Sequence, residues 1–177
     1  MGFPRKKEKD YYKNNYHPQY NLSAANIRFY NEILNLKDIE TVFEFGCNVG
    51  RHLVRLEHMG YKVYGMDINK DFVKSCTRQE ITALVGDEDT LHDIEGNSMD
   101  LVFTNSVLCH MSDIDKAIKE LKRITRRELL ICECVTKENN FWWIHDYEAM
   151  GFEPLIELKS HKIEEAKYVI YKFKDWE

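Results

Sequence analysis

Thr41-Val42-Phe43-Glu44-Phe45-Gly46-Cys47-Asn48-Val49-Gly50 is the stretch that decides the fold, because an apolar, β-type run ends there in two glycines and a helix-like segment opens behind them. Without a Cβ the backbone takes positive φ and lies against a ligand, while the N–H groups opening the next helix stay available as donors. The next apolar run, Val63-Tyr64-Gly65-Met66, ends at Asp67, 21 residues after Gly46. An acid at that place accepts hydrogen bonds from a ribose.

Outward from this turn, strand and helix patterns alternate. Strands are expected at 41–45, 62–66, 81–86, 99–104 and 128–135, and helices near 50–59, 70–79, 112–124 and 144–150. A first helix is expected from Leu22 to Leu36, with Ser23 as its cap and Ile27, Tyr30, Ile33 and Leu34 as its apolar stripe. Glu153 to Lys159 and Ala166 to Phe173 are two β-like runs joined by a short polar segment, which fits a hairpin better than a crossover. The pattern predicts an α/β fold: a Rossmann-like, seven-stranded, mostly parallel sheet with helices on both faces and a C-terminal antiparallel hairpin. Residues 22–177 read as a single domain and 1–21 as an N-terminal arm or lid.

Composition narrows the function classes. Hydrophobic residues make up 44% of the 177, enough for a substantial core, and no apolar run approaches a membrane span or a secretory h-region, so a cytoplasmic protein is expected. The net charge of −5 disfavours nucleic acid, whose phosphates demand a basic face. Lys119, Lys122, Arg123 and Arg126 form a basic stripe with Arg127 just beyond, but Ile114, Ala117, Ile118, Leu121 and Ile124 alternate with them at helical steps, so the charges read as a solvated face. The five cysteines are odd in number and four sit in or beside expected core strands, which points to buried free thiols. Cys132-x-Cys134 has too short a gap for a zinc pair and lies inside an apolar strand, so no metal is expected.

A dinucleotide fingerprint would need glycines at 46, 48 and 51, where the chain has Gly46, Asn48 and Arg51, and no Gly-Lys-Ser/Thr follows to make a phosphate-binding P-loop. The turn instead suits a nucleoside without a diphosphate. From Leu22 onward the chain resembles the class I S-adenosylmethionine (SAM)-dependent methyltransferases. Phe43 to Gly50 is similar to that family's first motif, with Asn48 where Gly is commoner; Asn is the non-glycine residue that best tolerates left-handed geometry. Tyr64-Gly65-Met66-Asp67-Ile68-Asn69 resembles the second-strand motif, Val85-Gly86-Asp87 the segment whose acid meets the adenine amino group, and Ser98 to His110 the fourth strand and the loop beneath the sulfonium. Gly46-x-Asn48-x-Gly50-Arg51-His52-Leu53 and Val107-Leu108-Cys109-His110 are similar, more narrowly, to methylases of surface-sugar pathways, including those associated with pseudaminic acid.

The resemblance implies SAM as cofactor, S-adenosylhomocysteine as product, and Glu44, Gly46, Cys47, Asn48, Gly50, Asp67, Ile68, Gly86, Asp87, Asn105 and Ser106 as cofactor-binding residues. For Asp87 an ordinary turn and helix cap is the structural alternative. His110 is the first candidate base and His145 the second; the alternatives are that His110 packs or caps the helix near Ser112, and that the His145-Asp146 pair opens a helix. Trp142 or Trp143 could stack on a sugar ring, Tyr12, Tyr16 and His17 could close over the cofactor, and Arg51 could meet a carboxylate. The expected acceptor is a small molecule, sugar-derived by resemblance, with a homodimer left open. A non-catalytic methyltransferase-like partner protein and a protein methyltransferase are the alternative functions.

Overall fold

The computed structural model describes residues 24–135, 142–159 and 167–174. Among the described residues four α-helices, α1 (Ala24–Asn35), α2 (Arg51–His58), α3 (Lys70–Thr77) and α4 (Asp115–Ile124), accompany seven strands: β1 (Thr41–Phe45), β2 (Lys62–Asp67), β3 (Thr82–Val85), β4 (Met99–Asn105), β5 (Thr125–Val135), β6 (Phe152–Lys159) and β7 (Lys167–Phe173). The strands form one sheet in the order β3-β2-β1-β4-β5-β7-β6. The first five in that order run parallel, β7 is antiparallel to β5, and β6 is antiparallel to β7. The expected seven-stranded sheet and its terminal hairpin are therefore present.

Burial on both faces explains why the central strands read as continuous apolar runs. Phe43, Phe45, Val102, Leu129 and Ile131 pack on one face against Ala117, Ile118, Leu121 and Ile124 of α4. Val42, Leu101, Phe103 and Leu130 pack on the other against Phe29 and Ile33 of α1 and Leu53 and Leu56 of α2. Phe29, Tyr30 and Ile33 carry the buried face of α1, whereas Ile27 and Leu34, expected in its stripe, are each 53% exposed.

At the N-terminal end of the sheet, the buried Asp100 joins β4 to β1 and β5. Its Oδ2 accepts the N–H groups of Glu40 (3.0 Å) and Thr41 (2.9 Å) and the Thr41 hydroxyl (2.9 Å), and its Oδ1 meets Arg126 Nη1 at 2.9 Å. Arg126 thus lies in β5 rather than on the basic helical stripe. The Thr125 hydroxyl bonds Leu121 O at 2.6 Å, and the strand begins there, three residues before the expected position. Helix α4 starts at Asp115 rather than 112 because Asp113 Oδ1 accepts the Asp115 N–H in a local turn.

The helix expected at 144–150 does not form. Residues 142–146 have no regular structure and 147–151 are turns. The Trp143 N–H donates to Cys109 O at 2.8 Å, and the backbone behind it closes local turns instead, with the Ala149 N–H on Asp146 Oδ1 at 3.0 Å and the Met150 N–H on Tyr147 O at 3.1 Å. The expected arm over 1–21, with Tyr12, Tyr16 and His17, and the Ser23 cap lie outside the described residues.

The chain leaves β1 outward to β2 and β3, then crosses back to β4 on β1's other side. Ligands of open α/β sheets bind at such a reversal, beyond the C-terminal ends of the strands.

Candidate active site

Beyond β1 the backbone turns back on β2: the N–H groups of Gly46 and Cys47 both donate to Met66 O, at 2.8 and 2.9 Å. Gly46 has φ 77°, and a Cβ there would run into Val107 Cγ2 of the loop after β4. Asn48 adopts φ 49°, its own Oδ1 accepts the Val49 N–H at 2.7 Å, and its N–H donates to Asp67 Oδ2 at 2.8 Å. The asparagine thus takes the left-handed place the sequence left to it. Gly50, φ 77°, is the N-cap of α2 and supplies no side-chain cap; a Cβ on it would lie 2.9 Å from Cys76 Sγ. Cys47 and Cys76 both point their thiols at Asn48 O, at 3.7 and 3.4 Å, so two buried sulfurs back the turn.

Three polar side chains share one sheet face at neighbouring strand ends. Glu44 pairs in register with Phe103 and with Gly65, so Glu44, Asn105 and Asp67 project to the side that carries Phe103 and Val42. Asp67 is 8% exposed and its two oxygens accept the N–H groups of Asn48 and Asn69, both at 2.8 Å. Burial raises its carboxyl above the usual range, and those two bonds only partly offset the rise. Glu44 is 2% exposed and its Oε2 has no hydrogen-bond partner among the described residues; burial, with Cys76 and Asp67 nearby, pushes its carboxyl well up. Asn105 Nδ2 is likewise buried and unpartnered, while its Oδ1 accepts the Ser106 hydroxyl at 3.3 Å.

Asn69 caps α3, accepting the Asp71 and Phe72 N–H groups at 2.9 and 3.4 Å, and leaves the half-buried Ile68 beside Asp67 at the sheet edge. Beyond β3 the Gly86 N–H donates to Asp67 O at 3.0 Å, and a Cβ on Gly86 would run into Thr90 Oγ1. Asp87 Oδ1 accepts the Asp89 N–H at 2.9 Å, so one of its oxygens serves the turn. Beyond β4, Ser106 sits at φ 57° and a single 3-10 turn, Leu108–His110, follows. His110 is half-buried at the end of that turn, its N–H donating to Val107 O at 2.9 Å. His145 Nε2 lies 3.1 Å from Leu108 O and 3.0 Å from Met111 O and donates to these carbonyls.

His52 points away from this edge, into the contact of α1 with α2, where its Nδ1 lies 2.7 Å from the Tyr30 hydroxyl and its ring meets Phe29 and Phe103. Burial, aided by the charges of Arg55 and Arg51, lowers its pKa to about 4. Arg51 itself is exposed at the start of α2. Cys132 is buried in the core, and among the described residues no group of three or more His, Cys, Asp or Glu could hold a metal ion.

Residues 43–131, half the chain, match the family described as "Methyltransferase domain". The chain belongs to this family. The methyltransferase also superposes on solved structures. The PH0226 protein from Pyrococcus horikoshii OT3 matches with a TM-score of 0.65 at 19% identity over 95% of this chain and 100% of that one. A SAM-dependent methyltransferase from Aquifex aeolicus matches with 0.61 at 19% over 83% and 89%. Magnesium protoporphyrin IX methyltransferase from Synechocystis PCC 6803, solved with bound SAM, matches with 0.61 at 20% over 84% and 76%. At these identities the likeness is one of fold. No curated protein matches the chain in sequence. No helix among the described residues is long and apolar enough to cross a membrane.

In the methyltransferase the sheet's C-terminal edge brings together the residues expected at the cofactor: Glu44, the 46–50 turn, Asp67, Ile68, Gly86, Asp87, Asn105 and Ser106. One residue of this region was missed by sequence reasoning. Glu133, near the C-terminal end of β5 and 0% exposed, accepts the N–H groups of Val107, Leu108 and Cys109. The available signal was a lone acid inside Leu129-Leu130-Ile131-Cys132-Glu133-Cys134-Val135, since an acid in a buried strand has to be paired.

Proposed function

We propose that this methyltransferase binds SAM across the C-terminal ends of β3, β2, β1 and β4 and methylates a small-molecule acceptor. The observation that carries the reading is the pair of buried unpartnered atoms at the strand reversal, Glu44 Oε2 and Asn105 Nδ2. An acceptor and a donor on adjacent strands fit the ammonium and carboxylate of an amino-acid moiety, and filling them removes the cost of leaving each unpaired. Asp67, held by two backbone N–H groups, keeps a second lone pair on each oxygen for ribose hydroxyls. Gly46, Cys47, Asn48 and Gly50 form the wall beneath, Ile68 packs beside the nucleoside, and Gly86 and Asp87 face its base.

SAM supplies a methyl carbon on a good leaving group, so the chain's main task is alignment. His110, at the end of the loop after β4, is the proton acceptor for a hydroxyl or amine. His145 is assigned to fixing that loop, because its Nε2 is committed as a donor to Leu108 O and Met111 O. The acidic balance disfavours a polyanionic acceptor, and no long insertion separates the late strands, which supports a small acceptor in a cytoplasmic protein. The resemblance of the glycine turn to surface-sugar methylases makes sugar-derived precursors the first class to try. Incubation with methyl-tritiated SAM and panels of nucleotide-sugars, sugar acids, amines and peptides tests this. Label in a low-mass sugar fraction is expected. Label only in peptides would replace the acceptor class, and saturable SAM binding without turnover on any panel would make the chain a binding partner.

A further inference from the structure

We propose that Glu133 is a positioning residue: its buried carboxylate, reaching from β5, sets the conformation of the loop that carries His110 and packs on the cofactor turn. This rests on the reading of the site given above. Glu133 Oε1 accepts the Val107 and Leu108 N–H groups at 2.9 and 3.0 Å and the Thr104 hydroxyl at 3.3 Å, and Oε2 accepts the Cys109 N–H at 3.3 Å. Three successive amides converge on one side chain, and only a group with two oxygens and no hydrogen of its own can accept them all. A glutamine would turn an NH2 against at least one of these N–H groups.

The loop needs such a holder. Ser106 sits at φ 57°, a conformation costly for a residue with a side chain, and persists only where the surroundings over-determine it. Its N–H is tied to Cys132 O at 2.8 Å, the next three amides belong to Glu133, and β5 supplies both. From the opposite side the segment after β5 takes the loop's carbonyls: Trp143 N–H bonds Cys109 O at 2.8 Å, and His145 Nε2 bonds Leu108 O and Met111 O. Donors are held by the carboxylate and acceptors by the imidazole, so the loop has little freedom to shift. The clamp reaches the donor site because Val107, the first residue it holds, occupies the space that a Cβ on Gly46 would take. Movement of Val107 therefore changes the wall on which the cofactor rests.

The test uses the full chain, proton–nitrogen NMR and calorimetry with S-adenosylhomocysteine. In the wild type the amide protons of Val107, Leu108 and Cys109 should lie downfield, exchange slowly and follow one shared titration, that of Glu133. In Glu133→Gln all three should move upfield and exchange at least about tenfold faster, and the S-adenosylhomocysteine Kd should rise about tenfold, the scale of one charge-assisted hydrogen bond. Glu133→Asp, which keeps the charge, should recover part of that affinity. A folded Gln variant with unchanged exchange and unchanged Kd would overturn the proposal. Should that variant not fold, three wild-type amides that titrate separately or not at all would overturn it instead. Wild-type protein that binds neither SAM nor S-adenosylhomocysteine, yet shows the shared titration, would sink the cofactor reading and leave the clamp standing.

Discussion

Replacing Gly46 by alanine tests how tightly the two loops of the site are built on each other. The backbone there has φ 77°, which costs an L-residue about 1–2 kcal/mol. The new Cβ would run into Val107 Cγ2 and lie only 3.0 Å from Cγ1 and 3.2 Å from Cβ of the same side chain. Relieving that overlap by shifting packed groups costs a further 1–3 kcal/mol or so. Gly46→Ala should therefore lose about 2–5 kcal/mol in urea unfolding. Val107→Ala alone removes two methyl groups from a half-buried side chain and should cost about 1 kcal/mol. In the double variant the backbone strain stays, the clash with the two Val107 methyl groups goes and only the 3.2 Å approach to Cβ remains, so the combined loss should fall short of the sum by roughly 1–3 kcal/mol. Gly60→Ala is the control: its φ is 98°, nothing lies within 4 Å of the added Cβ, and only the backbone penalty of about 1–2 kcal/mol applies. Additivity of the two site substitutions, or a Gly46→Ala loss no larger than that of Gly60→Ala, would refute the reasoning.

At the opposite end of the sheet, Asp100→Asn should destabilise by about 2–3 kcal/mol without changing donor affinity. Burial works against ionisation of Asp100, but the Thr41 and Glu40 N–H groups, the Thr41 hydroxyl and Arg126 outweigh it and hold the carboxyl below its ordinary range. Its stabilisation is present above the unfolded carboxylate value and lost as pH falls through the depressed one, an acid dependence that denaturation at several pH values should find missing from the variant. His52 gives a second acid dependence: neutral in the fold down to about pH 4, it should cost up to roughly 3 kcal/mol between pH 6.5 and 4, and His52→Gln should abolish that loss while keeping a partner for Tyr30. Glu44 runs the other way. With its carboxyl raised by burial, the fold loses stability as pH rises from the ordinary carboxylate range through the raised value. Glu44→Gln should therefore make the ligand-free protein more stable at pH 8 by about 1 kcal/mol, seen as a higher Tm, and weaken SAM binding about tenfold in calorimetry.

The seven strands could be read from the sequence because their chemistry is local: interior parallel strands are apolar on both faces, and Gly46 and Gly50 mark a turn at the end of β1 that needs positive φ. Asn48 was readable for the same reason. What escaped depends on distant partners. Asp100 finds Thr41 across 59 positions, and Glu133 finds Val107 across 26, so the flanking residues name neither partner, although a lone acid in an apolar strand does signal that Glu133 needs one. Arg126 continued the spacing of the basic stripe, but the chain had already become strand at Thr125. Asp146 looked like a helix opening, yet the Trp143 backbone and the His145 side chain are spent on the loop after β4. Ile27 and Leu34 fit an apolar stripe as well as Phe29 does, and only the packed sheet chose between them.

The central claim is that the C-terminal ends of β2, β1 and β4 form a SAM site, and calorimetric titration of the ligand-free protein with SAM tests it most directly. Saturable binding is predicted, weakened at least about tenfold by Asp67→Ala, which removes the carboxylate and leaves the Asn48 and Asn69 N–H groups unpaired. Folded, ligand-free wild-type protein that gives no heat with SAM and shows no competition by S-adenosylhomocysteine would contradict it.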